Sequence, residues 1–401
     1  MTDILNHFPP TAAHARDKLA AFAPLAGSAY AMRRNFDYGP GMHGSVSVLS
    51  PYVRLRMLDE VAMSRATLAH HSAQEAEKFL AEVFWRTYWK GWMELRPTVW
   101  EDYQSDLAQL RNEIQTQSGL RARWQDACLG QTGIAPFDAW AHELAQTGYL
   151  HNHARMWFAS IWVFTLNLPW QLGADFFLRH LLDGDAAVNT LSWRWVAGIQ
   201  TPGKTYLARA DNIAKFTNGR FSSVAGLAQT AFPPQTDVPP APRLLPRVPE
   251  PERRAPYGLL LHDDDIDAER LIKGHPTPAS WAYLDTSSGH SPWQTAPHVS
   301  AFRRAAAQDQ AQGETGLSNL KTAQDLRDWA VGAGVEQIVT PYAPVGPTQA
   351  VLAAYITLPD APPLHLDRRP LDTQSWPLAT KGFFPFRKHI PHLISEFVER
   401  E

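Results

Sequence analysis

From about Pro51 to Ile199, apolar positions recur every three to four residues, the spacing of one face of a helix. Two stretches show it most clearly: AEVFWRTYWKGWMEL (Ala81 to Leu95) and HARMWFASIWVFTL (His153 to Leu166). Both are too long and too apolar for isolated strands, and their aromatic side chains stand three and four apart. The pattern predicts an all-helical domain over residues 1–230. It breaks at PPQTDVPPAPRLLPRVPEPERRAP (Pro233 to Pro256), where nine prolines can neither donate to a helical ladder nor continue one. Residues 231–256 therefore read as a semi-extended surface linker. Beyond it YGLLLH, SWAYLD and VEQIVT read as buried strands, while SNLKTAQDLRDWAVGAG and GPTQAVLAAYI read as helices, the first closed by glycine. Strands alternating with helices predict parallel pairing through right-handed crossovers. The expected fold is thus an all-helical domain followed by a smaller C-terminal α/β, Rossmann-like domain over residues 257–401.

Composition narrows the setting. A chain of 401 residues with 44% hydrophobic side chains is long enough for two cores. The single cysteine, Cys128, has no partner for an internal disulfide or a thiolate zinc site, as expected in a reducing compartment. No apolar run reaches membrane-spanning length and the N-terminus lacks the order of a secretory signal, so a cytoplasmic protein is expected, without a membrane partner. A net charge of -3 excludes a global cation excess; nucleic-acid binding must then come from a local groove. The 15 tryptophans serve either packing or a series of oxidisable rings. Internal repeats and a phosphate-binding glycine fingerprint are absent, since DYGPGMHG (Asp37 to Gly44) follows no strand. HDDDID (His262 to Asp267) reads as an exposed acidic turn at a strand end, with cation binding the alternative. His151 and His153, two apart, diverge on a helix, and no metal site is expected.

Three constellations carry chemistry. Glu82, Trp85 and Arg86 stand at offsets of zero, three and four, so a carboxylate, an indole and a guanidinium share one helical face. Asn152, Arg155 and Met156 repeat that geometry. The third is DGDAAVNTLSWRW (Asp183 to Trp195). If buried, Asp183 and Asp185 need partners, and Arg155 is available for Asp183. Trp193 and Trp195, two residues apart, are expected to face different compartments.

Together with YAMRR (Tyr30 to Arg34), SVLSPY (Ser47 to Tyr52), EVFWR (Glu82 to Arg86) and QTGIAPFDAWAHELAQTGYLHNHARM (Gln131 to Met156), this last block resembles the photolyase/cryptochrome flavoproteins in motif order and spacing. The resemblance covers about Tyr30 to Phe221 and implies FAD as cofactor. It implies that Tyr30, Arg34, Ser47, Leu49, Ser50 and Arg86 hold the flavin's phosphates and ribitol. Asp183 and Asp185 would flank the isoalloxazine, with Arg155 pairing Asp183 and Asn189 facing flavin N5. Glu82, Trp85, Asn152, Met156 and Trp195 match a pocket for a flipped cyclobutane pyrimidine dimer in damaged DNA. Trp193 matches the flavin-proximal indole of an electron-transfer chain and Trp170 the next; Trp124, Trp100 or Trp157 could end it. His-Asn and Arg-Met, rather than paired histidines, favour the cyclobutane lesion over the six-four branch.

The chain also departs from the family. Val48 stands where a basic or larger residue is usual. Thr190, Leu191 and Ser192 replace small glycines, and His153 replaces an arginine that contacts DNA phosphate. The family places an α/β antenna domain before the helical one; here TKGFFPFRKHIPHL (Thr380 to Leu393) is similar to the end of such a domain and suggests a swapped order. Blue-light repair of DNA is the expected function. A cryptochrome-type photoreceptor with a signalling partner is the alternative, and a flavoprotein of dark redox or structural duty is a third. An antenna chromophore is left unspecified.

Overall fold

The computed structural model describes residues 2–235, 238–249, 256–311 and 317–399. Its N-terminal part is helical. The Glu77–Glu94 helix buries Phe79, Leu80, Val83, Phe84, Tyr88 and Trp92 on its core face. The Asn152–Ser160 helix runs into a π-helical turn at Ile161–Thr165, and Trp170–His180 and Ala186–Val196 follow as two further helices. Local chemistry sets the ends. The Asp185 carboxylate accepts from Val188 N at the start of Ala186–Val196, satisfying one of the unpaired amides of a first turn. Gly148, at φ 69°, closes the Ala135–Thr147 helix in the left-handed region. Among the described residues no helix is long and apolar enough to cross a membrane.

The C-terminal part holds a five-stranded parallel sheet: β1 Tyr257–His262, β2 Ser280–Leu284, β3 Ser318–Leu320, β4 Gln337–Pro341 and β5 Leu364–Asp367, in the order β3-β2-β1-β4-β5. Both faces are covered, as parallel sheets require. Leu260, Ala282, Leu284 and Ile338 pack with Leu326, Ala330 and Leu352, while Leu259, Leu261, Tyr283 and Val339 join the core shared with the helical part. Two expectations change. The start of SNLKTAQDLRDWAVGAG is not helical: Ser318–Leu320 pairs with β2, and the helix begins at Ala323 behind a Thr322–Asp325 capping box. The edge strand β5 was not expected, because its four residues carry too short an alternation to stand out. The described part of the proline-rich stretch lies along the helical part, with Arg243 N bonded to Leu95 O (2.9 Å) and Arg96 Nε to Pro240 O (3.0 Å); residues 236–237 and 250–255 of it lie outside the described residues.

The acidic run at the end of β1 is neither an exposed turn nor a cation site. Asp263, Asp264 and Asp265 are buried and point at arginines. Arg303 meets Asp263 at 3.2 Å, Arg54 meets Asp264 at 3.0 Å, and Arg270 meets Asp265 at 3.2 Å. Tyr283 donates a short hydrogen bond to Asp263. A carboxylate cannot stay buried without such partners, and no group of His, Cys, Asp or Glu able to hold a metal occurs among the described residues. Arg54 comes from 209 residues upstream, a pairing that local periodicity cannot reveal.

Burial also dictates a pH response. It pushes His151, His180 and His290 each down to about 3, so the folded protein keeps them neutral while the unfolded chain protonates them below about pH 6.5. The unfolded state then binds more protons, and stability falls as pH drops from about 6.5 toward 3, by up to about 1.4 kcal/mol per pH unit for each histidine. Guanidinium unfolding at pH 7.5, 6 and 5 should show a steadily falling midpoint; a midpoint constant to pH 5 would contradict this burial.

Candidate functional site

A cavity of ≈ 560 Å³ opens in the helical part, within the range of small-molecule and cofactor sites. Its base is ionic. Arg155 grips Asp183 with two bonds, Nη1 to Oδ1 at 3.1 Å and Nη2 to Oδ2 at 3.0 Å. Burial opposes the Asp183 charge, yet Arg155 holds its carboxyl below the usual range. Asp185 lies one layer beneath the lining, where burial is likewise outweighed by Lys90 at 3.0 Å, Arg86 at 3.4 Å and Arg54 at 3.6 Å. The family resemblance puts Asp185 against the isoalloxazine, whereas here it lies outside the lining, held by Arg54 and Lys90, which none of the motifs singles out. The signal for Lys90 was present: it stands four residues beyond Arg86 on the same helical face.

Toward the mouth, Arg34 donates to Glu82 at 2.6 Å; burial raises the Glu82 pKa and Arg34 opposes it. Ser47, Val48, Leu49 and Ser50 form one wall. Val48 sits at φ 53°, a left-handed conformation that a β-branched residue rarely adopts; such strain gathers at ligand clamps.

The Ala186–Val196 helix supplies the opposite wall with Val188, Asn189, Ser192, Trp193, Trp195 and Val196. Trp193 and Trp195 were expected to face different compartments. Both border this one cavity, because at 100° per residue they stand about 160° apart and mark the two edges of a broad arc. Asn189 Nδ2 donates to Ala174 O at 2.9 Å, which fixes the carboxamide. Trp193 is buried and its Nε1 has no hydrogen-bond partner among the described residues. The ring contacts of Trp193 are Phe177 at 5.0 Å, Trp162 at 6.1 Å and Phe158 at 6.4 Å. Gly173 permits the close approach: a Cβ there would lie 2.3 Å from the Trp193 ring and 3.0 Å from Trp162. Trp170 lies outside the lining, packed on Tyr103 at 5.6 Å, and Tyr103 packs on Trp100 at 5.2 Å. The indole touching Trp193 is therefore Trp162, which sequence reasoning did not single out.

Tyr30, Arg86, Trp85, Asn152 and Met156 complete the set of sequence-derived residues in the lining. Trp195 stacks on Tyr206 at 6.0 Å. Trp85 meets Trp89 at 5.8 Å and, from the C-terminal part, Phe383 at 4.0 Å, a contact no local pattern signals. His153, although at the lining, is locked: its ring bonds Asn35 O at 2.9 Å and Tyr206 Oη at 3.0 Å and stacks on Trp157 at 4.0 Å.

Residues 79–220 match the family described as the FAD binding domain of DNA photolyase. This helical segment is a photolyase/cryptochrome FAD-binding domain. The chain is 31% identical over 189 residues to the deoxyribodipyrimidine photo-lyase of Vibrio cholerae, covering 44% of this chain and 37% of that protein. A class III photolyase structure from Agrobacterium tumefaciens aligns at 26% identity and TM-score 0.43, covering 52% of this chain and 43% of that one. A Synechocystis cryptochrome aligns at 21% identity and TM-score 0.39, covering 52% and 43% of the two chains. The chain spans about two fifths of the length of the curated relatives it matches.

The photolyase-type domain here precedes the α/β sheet rather than following it. Its cavity suits FAD chemically. Arg34, Arg86 and the Ser47 and Ser50 hydroxyls can meet phosphates, Val83, Phe177 and Leu181 offer apolar wall for a flat ring, and Trp193 Nε1 is a buried donor without an acceptor among the described residues.

Proposed function

We propose that the protein is a blue-light-driven, FAD-dependent enzyme that splits cyclobutane pyrimidine dimers in DNA. The observation that carries this reading is the meeting of two residue sets on one cavity: Tyr30, Arg34, Ser47, Leu49, Ser50, Arg86, Arg155, Asp183 and Asn189 for the cofactor, and Glu82, Trp85, Asn152, Met156 and Trp195 for the lesion. When bound, FAD supplies light absorption and one-electron donation; the protein binds, orients and desolvates. Trp85 and Trp195 would stack on the extruded bases, offsetting part of the few kcal/mol that flipping costs. Glu82 and Asn152 would hydrogen-bond the pyrimidine edges, and Trp193 would carry electrons to the cofactor. In this reading residues 1–230 form the FAD-binding domain, residues 231–256 the linker and residues 257–401 a displaced antenna-like domain.

The test is repair itself. Photoreduced protein is mixed with an oligonucleotide carrying one thymine dimer, single- or double-stranded, and dimer loss is followed under blue light and in darkness. Light-dependent loss on either substrate is expected; none on both would turn the reading to a cryptochrome-type photoreceptor. One observation favours that second reading. His153, held by Asn35 and Tyr206, is not free to take a DNA phosphate.

A further inference from the structure

We infer that residues 380–388, in the C-terminal part, form a second DNA contact beside the cavity mouth, with Phe384 as a stacking platform for a base flanking the extruded dimer. The inference rests on the repair reading above.

The segment is clamped onto the helix that carries Trp85. Phe383 packs on Trp85 at 4.0 Å, and Phe386, fully buried, meets Tyr88 at 5.4 Å. Tyr88 Oη donates to Lys381 O at 3.0 Å, and Arg96 Nη2 donates to Thr380 O at 2.7 Å. Between these anchors the Phe383–Arg387 helix lifts Phe384 into solvent, 76% exposed. A large apolar ring held rigidly in water needs an explanation when its neighbours on both sides are anchored. The Arg387 guanidinium lies 6.0 Å from the Phe384 ring centre, within reach of a cation–π contact.

The surrounding charge identifies the occupant. Lys78, Lys381 and Lys388 are exposed and Arg387 is partly so. Two acids on the helix beneath the patch are already engaged: Glu77 by Arg387 at 3.3 Å and Lys78 at 3.9 Å, and Glu82 by Arg34 at 2.6 Å. Among the described residues neither Lys381 nor Lys388 has an ion-pair partner, in a chain of net charge -3. Such cations around an exposed aromatic ring suit a single strand of nucleic acid, whose bases stack and whose phosphates pair. The patch adjoins Trp85, so a strand leaving the cavity would meet it directly.

The full-length, flavin-loaded protein would be titrated into fluorescein-labelled oligonucleotides, one carrying a single thymine dimer and one undamaged, with anisotropy as readout. Phe384→Ala is expected to weaken both by about 5- to 150-fold, the range for one lost base stack, and Phe384→Trp to restore binding. Lys381→Ala with Lys388→Ala should flatten the salt dependence by one to two phosphate contacts, roughly 0.7 to 1.4 in log–log slope. Trp85→Ala should instead remove the preference for the dimer. A wild-type protein that binds DNA as tightly as its Phe384→Ala and double-lysine variants overturns this inference and leaves the repair reading standing. A wild-type protein that binds neither oligonucleotide overturns both. Phe384 is exposed, so an unchanged melting temperature checks that the variant is folded.

Discussion

Replacing Arg54 with leucine should destabilise the protein by about 3–5 kcal/mol, the penalty for breaking a buried charge network from one side. Arg54 is 1% exposed. It donates to Gly184 O at 2.8 Å and Asp263 O at 2.7 Å, and it faces Asp264 at 3.0 Å and Asp185 at 3.6 Å. Leucine would fill the volume but leave Lys90 as the principal cation shared by two buried carboxylates, at 3.0 and 3.7 Å. The damage reaches the cavity because Asp185 caps the helix that bears Asn189, Trp193 and Trp195. Guanidinium unfolding should show the lowered midpoint, and flavin uptake by the variant should fall with it. Lysine at the same position keeps one charge and loses the carbonyl pair, so it should fall between the two. A leucine variant within about 1 kcal/mol of wild type, the range of a surface ion pair, would mean the network is solvated rather than buried.

Trp193→Phe is expected to slow light-driven reduction of the bound, oxidised cofactor by about tenfold or more, a barrier increase of at least about 1.4 kcal/mol. Phenylalanine keeps an aromatic ring against Phe177, Trp162 and Phe158 but lacks the readily oxidised indole. Bound flavin, measured by absorbance after release, should stay near wild type, which separates an electronic role from a packing one. Unchanged photoreduction would remove Trp193 from the electron path. The next step can be compared directly. Trp162, in ring contact at 6.1 Å, should matter more than Trp170, whose ring packs instead on Tyr103.

The candidate site was legible in the sequence to the extent that helical periodicity could reach. Glu82, Trp85 and Arg86, and likewise Asn152, Arg155 and Met156, all line the cavity, because offsets of three and four fix a shared face whatever the helix packs against. The Asp183–Arg155 pair was legible for a second reason: a buried carboxylate demands a cation, and Arg155 was the one at hand. The same demand operated on Asp263, Asp264 and Asp265, but their partners Arg303, Arg54 and Arg270 mostly lie on other elements. Read locally, the acidic run looked exposed.

The order of helical and strand-rich parts, the parallel α/β character and the composition of each cavity-facing helix were determined by the chain's own pattern, since period, capping and proline content act within a few residues. Only the tertiary structure decided that Phe383 backs Trp85, that Trp162 rather than Trp170 touches Trp193, and that the acids after β1 are anchored to the helical part. Those contacts join elements far apart along the chain, where packing and charge pairing choose among partners that periodicity treats as equivalent.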